Sequence, residues 1–334
     1  MTHPLERSIQ ISNKNVTMKL SKIATLVAAM SVATTFEFFS VAQSAKGVAL
    51  TGLTGGNTLV FFDSATPSST TSLGVSGVGS ELLLGIDYRP ADGQLYGVTG
   101  TGVFTIDSSS GNAARVNTFS TTFNGGTTSG VDFNPAVDAL RIVGANDQNF
   151  GIGGGGRGAT VVQTPLAYAA GDPNFNANPT ITAAAYTNSF AGVPAGRTTE
   201  LFDIDSNLNV LVLQSPPANG TLTTRGPLGI DVGTVGGFDI FSPTNGENIA
   251  FAAFALNGST AASLYTINLN TGAASPSLGQ IGTGTGFNLI GLSAPISPTA
   301  VPEPSAIPGL IIAGIGTGLM LKRRKRKSSA ADKK

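Results

Sequence analysis

The amino-acid sequence predicts an all-β fold: a β-propeller-like repeat domain of about five or six blades, flanked by an N-terminal signal peptide and a C-terminal transmembrane helix. Three observations carry this. Two short motifs recur along the body of the chain. Their copies are spaced near 45 residues apart, the length of one propeller blade. No stretch of the body has a helical period, while Gly, Asn, Asp and Pro interrupt short apolar runs. The spans that follow are 1–45 for the signal peptide with an extended N-terminus, 46–297 for the propeller-like domain, 298–304 for a linker, 305–321 for the transmembrane segment and 322–334 for a basic tail.

The first motif is a Gly, an apolar residue, Asp, an apolar or aromatic residue and a Pro soon after. It stands at Gly85 to Pro90 (GIDYRP), Gly130 to Pro135 (GVDFNP) and Gly237 to Pro243 (GFDIFSP). The second is an apolar or aromatic pair leading into an apolar-Asp or apolar-Asn step and a polar turn. It stands at Leu59 to Pro67, Val103 to Asn112, Leu201 to Asn209 and Leu264 to Ala273. Asp87 and Asp132 are 45 residues apart and Asp63 and Asp107 are 44 apart; the 98 residues from Asp107 to Asp205 leave room for a degenerate copy at Asn149 to Gly156. Within a unit, one strand reads like GQLYGVT or DALRIVG and the next like GVFTIDS. In IDSSSGN the Asp caps a tight turn and the Gly takes positive φ. A pair of β-sandwiches or a β-solenoid are the alternative architectures, the solenoid with a usually shorter period.

The ends differ from the middle in charge. Of 19 Lys and Arg residues, eight lie at or beyond Lys322 and five at or before Lys46. The stretch from Gly47 to Ala300 keeps six, all Arg, against fifteen acids, a formal charge of −9, so the zero of the whole chain is a cancellation between its parts. An acidic body without Lys excludes nucleic acid as a partner and disfavours adsorption to anionic lipid. Cysteine is absent, which removes disulfides, thiolate metal sites and a Cys nucleophile; the single histidine is His3.

At the N-terminus, Lys19 and Lys22 precede the apolar run Ile23 to Ala33, and small residues follow with Ala42/Ser44 or Gln43/Ala45 as −3/−1 pairs, the pattern of a cleaved export signal that takes His3 with it. At the C-terminus, Ser305 to Leu321 is uncharged and mostly apolar. Its seventeen residues are at the short limit for a bilayer core of about 30 Å. Six consecutive basic residues, Lys322 to Lys327, follow as a stop-transfer signal that marks the cytoplasmic side.

Two resemblances add to this reading. Pro302-Glu303-Pro304, then the apolar span, then the basic cluster resemble the PEP-CTERM sorting signal of Gram-negative and cyanobacterial surface proteins. The resemblance implies processing by an exosortase-type membrane protease near the Pro-Glu-Pro motif, a transient inner-membrane anchor and release toward the cell surface or exopolysaccharide. The segment SSAADKK after the basic cluster departs from the usual short ending. Separately, ELLLGIDYRPADGQLYGVTGTGVFTIDSSSGNA, AAYTNSF and TTELFDIDSNLNVLVLQSPPANGTLTTRGPLGIDV resemble a secreted bacterial family known as a domain of unknown function, over roughly Gly47 to Ser293. That family implies a propeller-like fold and secretion, with no established catalytic residues.

Candidate chemistry is sparse. Gly151 to Gly156 formally satisfies G-x-G-x-x-G, yet RGATVVQTP follows without a helical period, so a loop is expected rather than a dinucleotide site. Nucleophilic catalysis lacks a histidine or lysine base in the body. Glycosidic cleavage needs only paired carboxylates, but most Asp residues occupy repeat-equivalent positions, Asp87, Asp132 and Asp239 in one set and Asp63, Asp107 and Asp205 in the other. That recurrence predicts turn capping or strand-end hydrogen bonding. Calcium is the only metal this inventory suits, and no other cofactor is expected. Its candidate ligands alternate at Asp172, Asn174, Asn176 and Asn178 and at Asp203, Asp205, Asn207 and Asn209. Tyr186, in AAYTNSF, is expected to be buried and hydrogen-bonded through its hydroxyl. The functional expectation is a non-enzymatic, exported surface or extracellular-matrix protein with an adhesive, structural or glycan-binding role. The alternative is a carboxylate-dependent hydrolase or lyase on extracellular polysaccharide.

Overall fold

Each apolar run bounded by turn residues forms a strand, and the strands group into five sheets, as described by a computed structural model of residues 47–297, apart from the side chains of residues 234 and 235. The chain begins with β1 (Ala49–Thr54), β2 (Thr58–Asp63) and β3 (Thr66–Gly74), three strands of the first blade. The second blade is β4 (Gly85–Tyr88), β5 (Leu95–Val98), β6 (Gly102–Ile106) and β7 (Ala113–Thr118). The third is β8 (Ser129–Asn134), β9 (Ala139–Gly144), β10 (Asn149–Ile152) and β11 (Thr160–Val162). In the fourth, β12 (Ala167–Tyr168) pairs in parallel on the outside of β16 (Thr221–Pro227), beyond β13 (Ile181–Tyr186), β14 (Leu201–Asp205) and β15 (Val210–Gln214). The fifth is β17 (Val232–Thr244), β18 (Glu247–Leu256), β19 (Ser263–Ile267) and β20 (Gly279–Gln280). The chain then returns to the first blade, where β21 (Leu289–Ser293) pairs antiparallel with β1 as the inner strand. The first blade is therefore built from both ends of the domain.

The inner strands β21, β4, β8, β13 and β17 touch in succession around one axis, β17 meeting β21. The result is a five-bladed β-propeller, the lower of the two blade numbers expected. Almost no helix accompanies it: Gly153–Gly156 makes one turn, with Gly154 and Gly155 left-handed, and Pro217–Asn219 makes one 3₁₀ turn. The glycine run thus ends β10, and β11 rather than a helix follows it.

Alternation along each strand divides the core into five apolar layers, one between each pair of blades. Leu53, Leu59 and Ile290 of the first blade pack on Ile86, Leu95 and Phe104 of the second. Tyr96 and Val98 meet Phe133, Leu140 and Phe150, with Phe123 edge-on to Phe150 at 5.2 Å. Val143 of the third blade meets Ile181, Leu201 and Val212 of the fourth; Phe202 and Ile204 meet Phe238 and Phe254; Phe251 and Leu264 meet Leu50, Val60 and Leu292. Each such fully buried side chain contributes about 1.5–3 kcal/mol relative to exposure, so every blade interface is held mainly by burial.

The turns follow the predicted chemistry. Asp107 Oδ1 accepts the Ser109 amide at 2.8 Å while Gly111, at φ 76°, donates to the Asp107 carbonyl at 2.8 Å. Asn268 and Gly272 repeat this after β19. One strand assignment differs. Leu201 to Asp205 forms the second strand of its blade, whereas the other copies of its motif lie on third strands β2, β6 and β19. The third-strand place in the fourth blade belongs to Val210–Gln214, and in the third blade to Asn149–Ile152. The export segment 1–45, Pro302, Glu303 and Pro304, the apolar span 305–321 and the basic tail lie outside the described residues. Among the described residues no helix is long and apolar enough to cross a membrane.

Candidate functional site

The inner strands converge closely, and this dictates their sequence. A Cβ on Gly130 would stand 2.5 Å from the Ala184 Cβ, and one on Gly237 would stand 2.3 Å from the Leu292 backbone nitrogen. Only Gly or Ala fits at this level of a narrow five-bladed axis, which explains the first residue of the Gly-apolar-Asp motif. Two residues further along, all five inner strands place a side chain at one level: Ser293, Asp87, Asp132, Ala185 and Asp239, taken around the ring from the first blade.

At four of the five positions the side chain accepts an amide from the next blade. Tyr88 N–H donates to Ser293 Oγ at 3.0 Å, Phe133 N–H to Asp87 Oδ2 at 2.8 Å, and Ala294 N–H to Asp239 Oδ2 at 2.6 Å. The Tyr186 amide donates to the Asp132 carboxylate. Ala185 has no acceptor to offer, and Ile240 N–H turns to its own Asp239 Oδ1 at 2.6 Å. Ser293 Oγ–H donates to Asp87 Oδ1 at 3.0 Å. The ring of hydrogen bonds stitches neighbouring blades at the axis.

Three of these groups are acids, and carboxylate oxygens of Asp87, Asp132 and Asp239 lie within 4.8 Å of one another. All three side chains are buried, and none takes part in the ion pairs of the described residues. Burial raises the Asp87 carboxyl well above the ordinary carboxylate range, and repulsion from Asp239 adds to it. Asp132 is raised by burial and then by repulsion from Asp87 and Asp239, and its hydrogen bond with the Asp239 side chain raises it further. Asp239 is raised by burial to about 6, held back by the Ala294 and Ile240 amides. Next to the trio, the residues that precede the ring positions line an axial cavity of about 10 Å³, room for one water.

The calcium candidates read from the sequence lie elsewhere. Asp172 uses both oxygens to hold β16: Oδ2 accepts Thr224 N–H at 2.6 Å and Oδ1 accepts Thr224 Oγ1–H at 2.8 Å. Asp172 Oδ1 also caps its own turn through the Asn174 amide, and the Asn174 side chain donates to Thr224 Oγ1; Asn176 and Asn178 are exposed. Asp203 and Asp205 point from β14 into the layer between the third and fourth blades. Asp205 Oδ2 accepts the Tyr168 hydroxyl at 2.7 Å and its Oδ1 accepts the amides of Asn207 and Leu208. Asn209 takes positive φ and receives the Val232 amide, while Asn207 is exposed. Tyr186 is buried and its hydroxyl accepts Arg141 Nε–H at 3.4 Å. The convergence of Asp87, Asp132 and Asp239 was not read from the sequence, although their motif was. An identical Gly-to-Asp register on the inner strands of a closed ring is the signal that would have revealed it.

An open groove of about 730 Å³ lies on the side of the propeller where the inner strands end, over the fourth and fifth blades. Polar side chains dominate its wall: Thr199, Glu200, Arg225, Asn248, Asn268 and Asn270. Glu200 and Arg225 pair across it at 3.3 Å and remain largely exposed. The Asn248 carbonyl oxygen is used by the Asn188 amide and Ser242 hydroxyl, which leaves its NH₂ for the groove.

Fold and site together define a five-bladed propeller with buried acids on its axis and a polar groove between two blades. The chain belongs to the family described as Domain of unknown function (DUF4394), whose model matches residues 58–293. Among solved structures it is similar to a chain in a nidogen/laminin complex, with 10% identity and a TM-score of 0.44 over 75% of this chain and 100% of that one. It is also similar to the calcium-binding protein regucalcin from Agrobacterium tumefaciens, with 12% identity and a TM-score of 0.36 over 70% of this chain and 74% of that one. An auxiliary nutrient binding protein from Bacteroides ovatus shares 12% identity at a TM-score of 0.35, over 66% of this chain and 53% of that one. No curated protein matches.

Proposed function

We propose that this propeller is exported, sorted through its Pro302-Glu303-Pro304 segment by an exosortase-type protease and released to the cell surface or matrix, where it binds a glycan without cleaving it. The observation that carries the reading is the groove over the fourth and fifth blades. Its size falls within the usual range for small-ligand sites, about 300–1,000 Å³. Amide and hydroxyl groups line it together with one Glu–Arg pair, a wall suited to the dense hydroxyls of exopolysaccharide rather than to apolar or anionic ligands. The six arginines and absent lysines of the body fit the same setting, since nothing in it favours nucleic acid. The inner membrane is a transient partner through residues 305–321.

Non-catalytic action is supported by the placement of the acids. Glycoside hydrolysis asks for two carboxyls flanking a bound sugar, whereas Asp87, Asp132 and Asp239 are buried beside a cavity the size of one water. A glycan-array screen of the purified chain, with and without calcium, followed by product analysis of every hit, tests the proposal. Retention of an uncut oligosaccharide, weakened at least tenfold by Asn270→Ala, is the expected result. Release of shortened products would move the chain to the hydrolase or lyase class, and failure to retain any glycan would remove the binding role.

A further inference from the structure

The hydrogen-bond ring on the axis accounts for the position of Asp87, Asp132 and Asp239 but not for their charge. Ser293 fills the same place in the first blade and accepts the same inter-blade amide with a neutral hydroxyl. The fourth blade carries Ala185 there and has no acceptor at all. A neutral acceptor therefore suffices for the stitch, while three acids set within 4.8 Å of one another in a buried space are costly unless shared protons or a cation offset their charge. No Arg of the described residues pairs with them, and the body has no Lys.

Asp132 supplies a second, independent observation. Its Oδ1 is shut off from solvent and has no hydrogen-bond partner, although Asp132 as a whole is only 1% exposed. Buried carboxylate oxygens are almost always satisfied, and one left unpartnered inside a cluster of three acids is an acceptor free to meet a cation. The donor set is entirely hard oxygen, three carboxylates with the Ser293 hydroxyl beside them, which suits an alkaline-earth ion and not zinc or copper. Oxygens that all lie within 4.8 Å of one another can reach one Ca²⁺ together, since ligands on opposite sides of that ion stand about twice 2.3–2.6 Å apart.

We propose that Asp87, Asp132 and Asp239 hold one divalent, oxygen-preferring cation of the calcium class on the propeller axis, locking the second, third and fifth blades at their inner strands. This site is separate from the groove and does not depend on the glycan reading.

The test uses the full chain purified in mild detergent without chelator. Elemental analysis is expected to find about one calcium per chain. Unfolding and refolding in EDTA should lower Tm by about 5–10 °C, and calcium alone should restore it, as for a ligand near a hundredfold above its Kd. In Asp132→Asn, which keeps an acceptor for the Tyr186 amide, the metal content and the calcium-dependent shift should fall at least tenfold. Asp172→Asn should keep both. A wild-type chain that carries no metal and is indifferent to EDTA and calcium overturns the proposal. So does calcium that survives in Asp132→Asn and is lost in Asp172→Asn. If Asp132→Asn does not fold, Asp239→Asn and the metal content of the wild type decide between the same two outcomes.

Discussion

The carboxyl of Asp203 is sealed between the third and fourth blades, and neither of its oxygens has a hydrogen-bond partner. Burial raises it well above the usual carboxylate range, and the attraction of Arg141 only partly opposes this. The folded chain therefore holds a proton there that the unfolded chain releases near pH 4. A raised carboxyl contributes stability that is present at low pH and is lost as pH climbs above the unfolded value. The expected outcome in EDTA is a Tm that declines from pH 5 to pH 8, with a smaller decline in Asp203→Asn; thermal melts of the two chains across that range measure the difference. An equal slope in both would mean that Asp203 is ionised when folded. Glu81 behaves in the opposite sense: burial would raise it, but hydrogen bonds from Thr101 and Thr99 and the charge of Arg115 outweigh that and lower it.

At the scale of the strand, the inner row is the element under tightest constraint. Gly237→Ala places a Cβ against the Leu292 backbone of the neighbouring inner strand, which cannot swing aside as a side chain would. The variant is expected to lose about 1–3 kcal/mol, read as a lower urea midpoint at unchanged slope. Gly153→Ala, where an added Cβ meets nothing within 4 Å, should move the midpoint by less than about 0.5 kcal/mol. The strands that share the axis were legible wherever they carried Gly-apolar-Asp, at Gly85, Gly130 and Gly237. The two others were not, because β13 has Ala183 to Ala185 in those places and β21 ends in Ser293. Local chemistry was readable in the same way: IDSSSGN announces its turn by Asp107 and Gly111. What an isolated strand cannot announce is its rank in the sheet, so Leu201 to Asp205 resembles a third strand until its neighbours are known.

At the scale of the molecule, the ring closes through one antiparallel pairing, Thr51 opposite Ser293 and Gly52 opposite Leu292. Removing everything after residue 284 takes away β21 and leaves β1 with an open inner edge, so that chain should show no cooperative unfolding transition and should aggregate. Ending the chain at Ser297 keeps the closing strand and should preserve a single sharp transition by calorimetry. The closure also explains why about five or six blades were expected: a division by 45 counts residues, and the shared first blade and the 163–180 excursion before β13 blur the period. If the sorting proposal holds, Glu303→Ala should leave the chain in the membrane fraction at its uncut mass, where fractionation and immunoblotting would find it.

If the anchoring proposal holds, the strand that closes the ring also bears on which way the tethered molecule faces. Beyond β21 the chain crosses to Ser297, which receives the Ala191 amide at 3.0 Å and forms a bridge with Phe190, two residues from Asn188 at the rim of the groove. Seven residues separate Ser297 from Ser305, so eight Cα steps reach at most about 29 Å fully extended. A propeller tethered through 305–321 would hold its groove toward the bilayer and screen it from large polymers. If the sorting and glycan-binding proposals both hold, the proteolytic cut would do more than free the protein: it would uncover the groove, and the chain would become adhesive only after leaving the membrane.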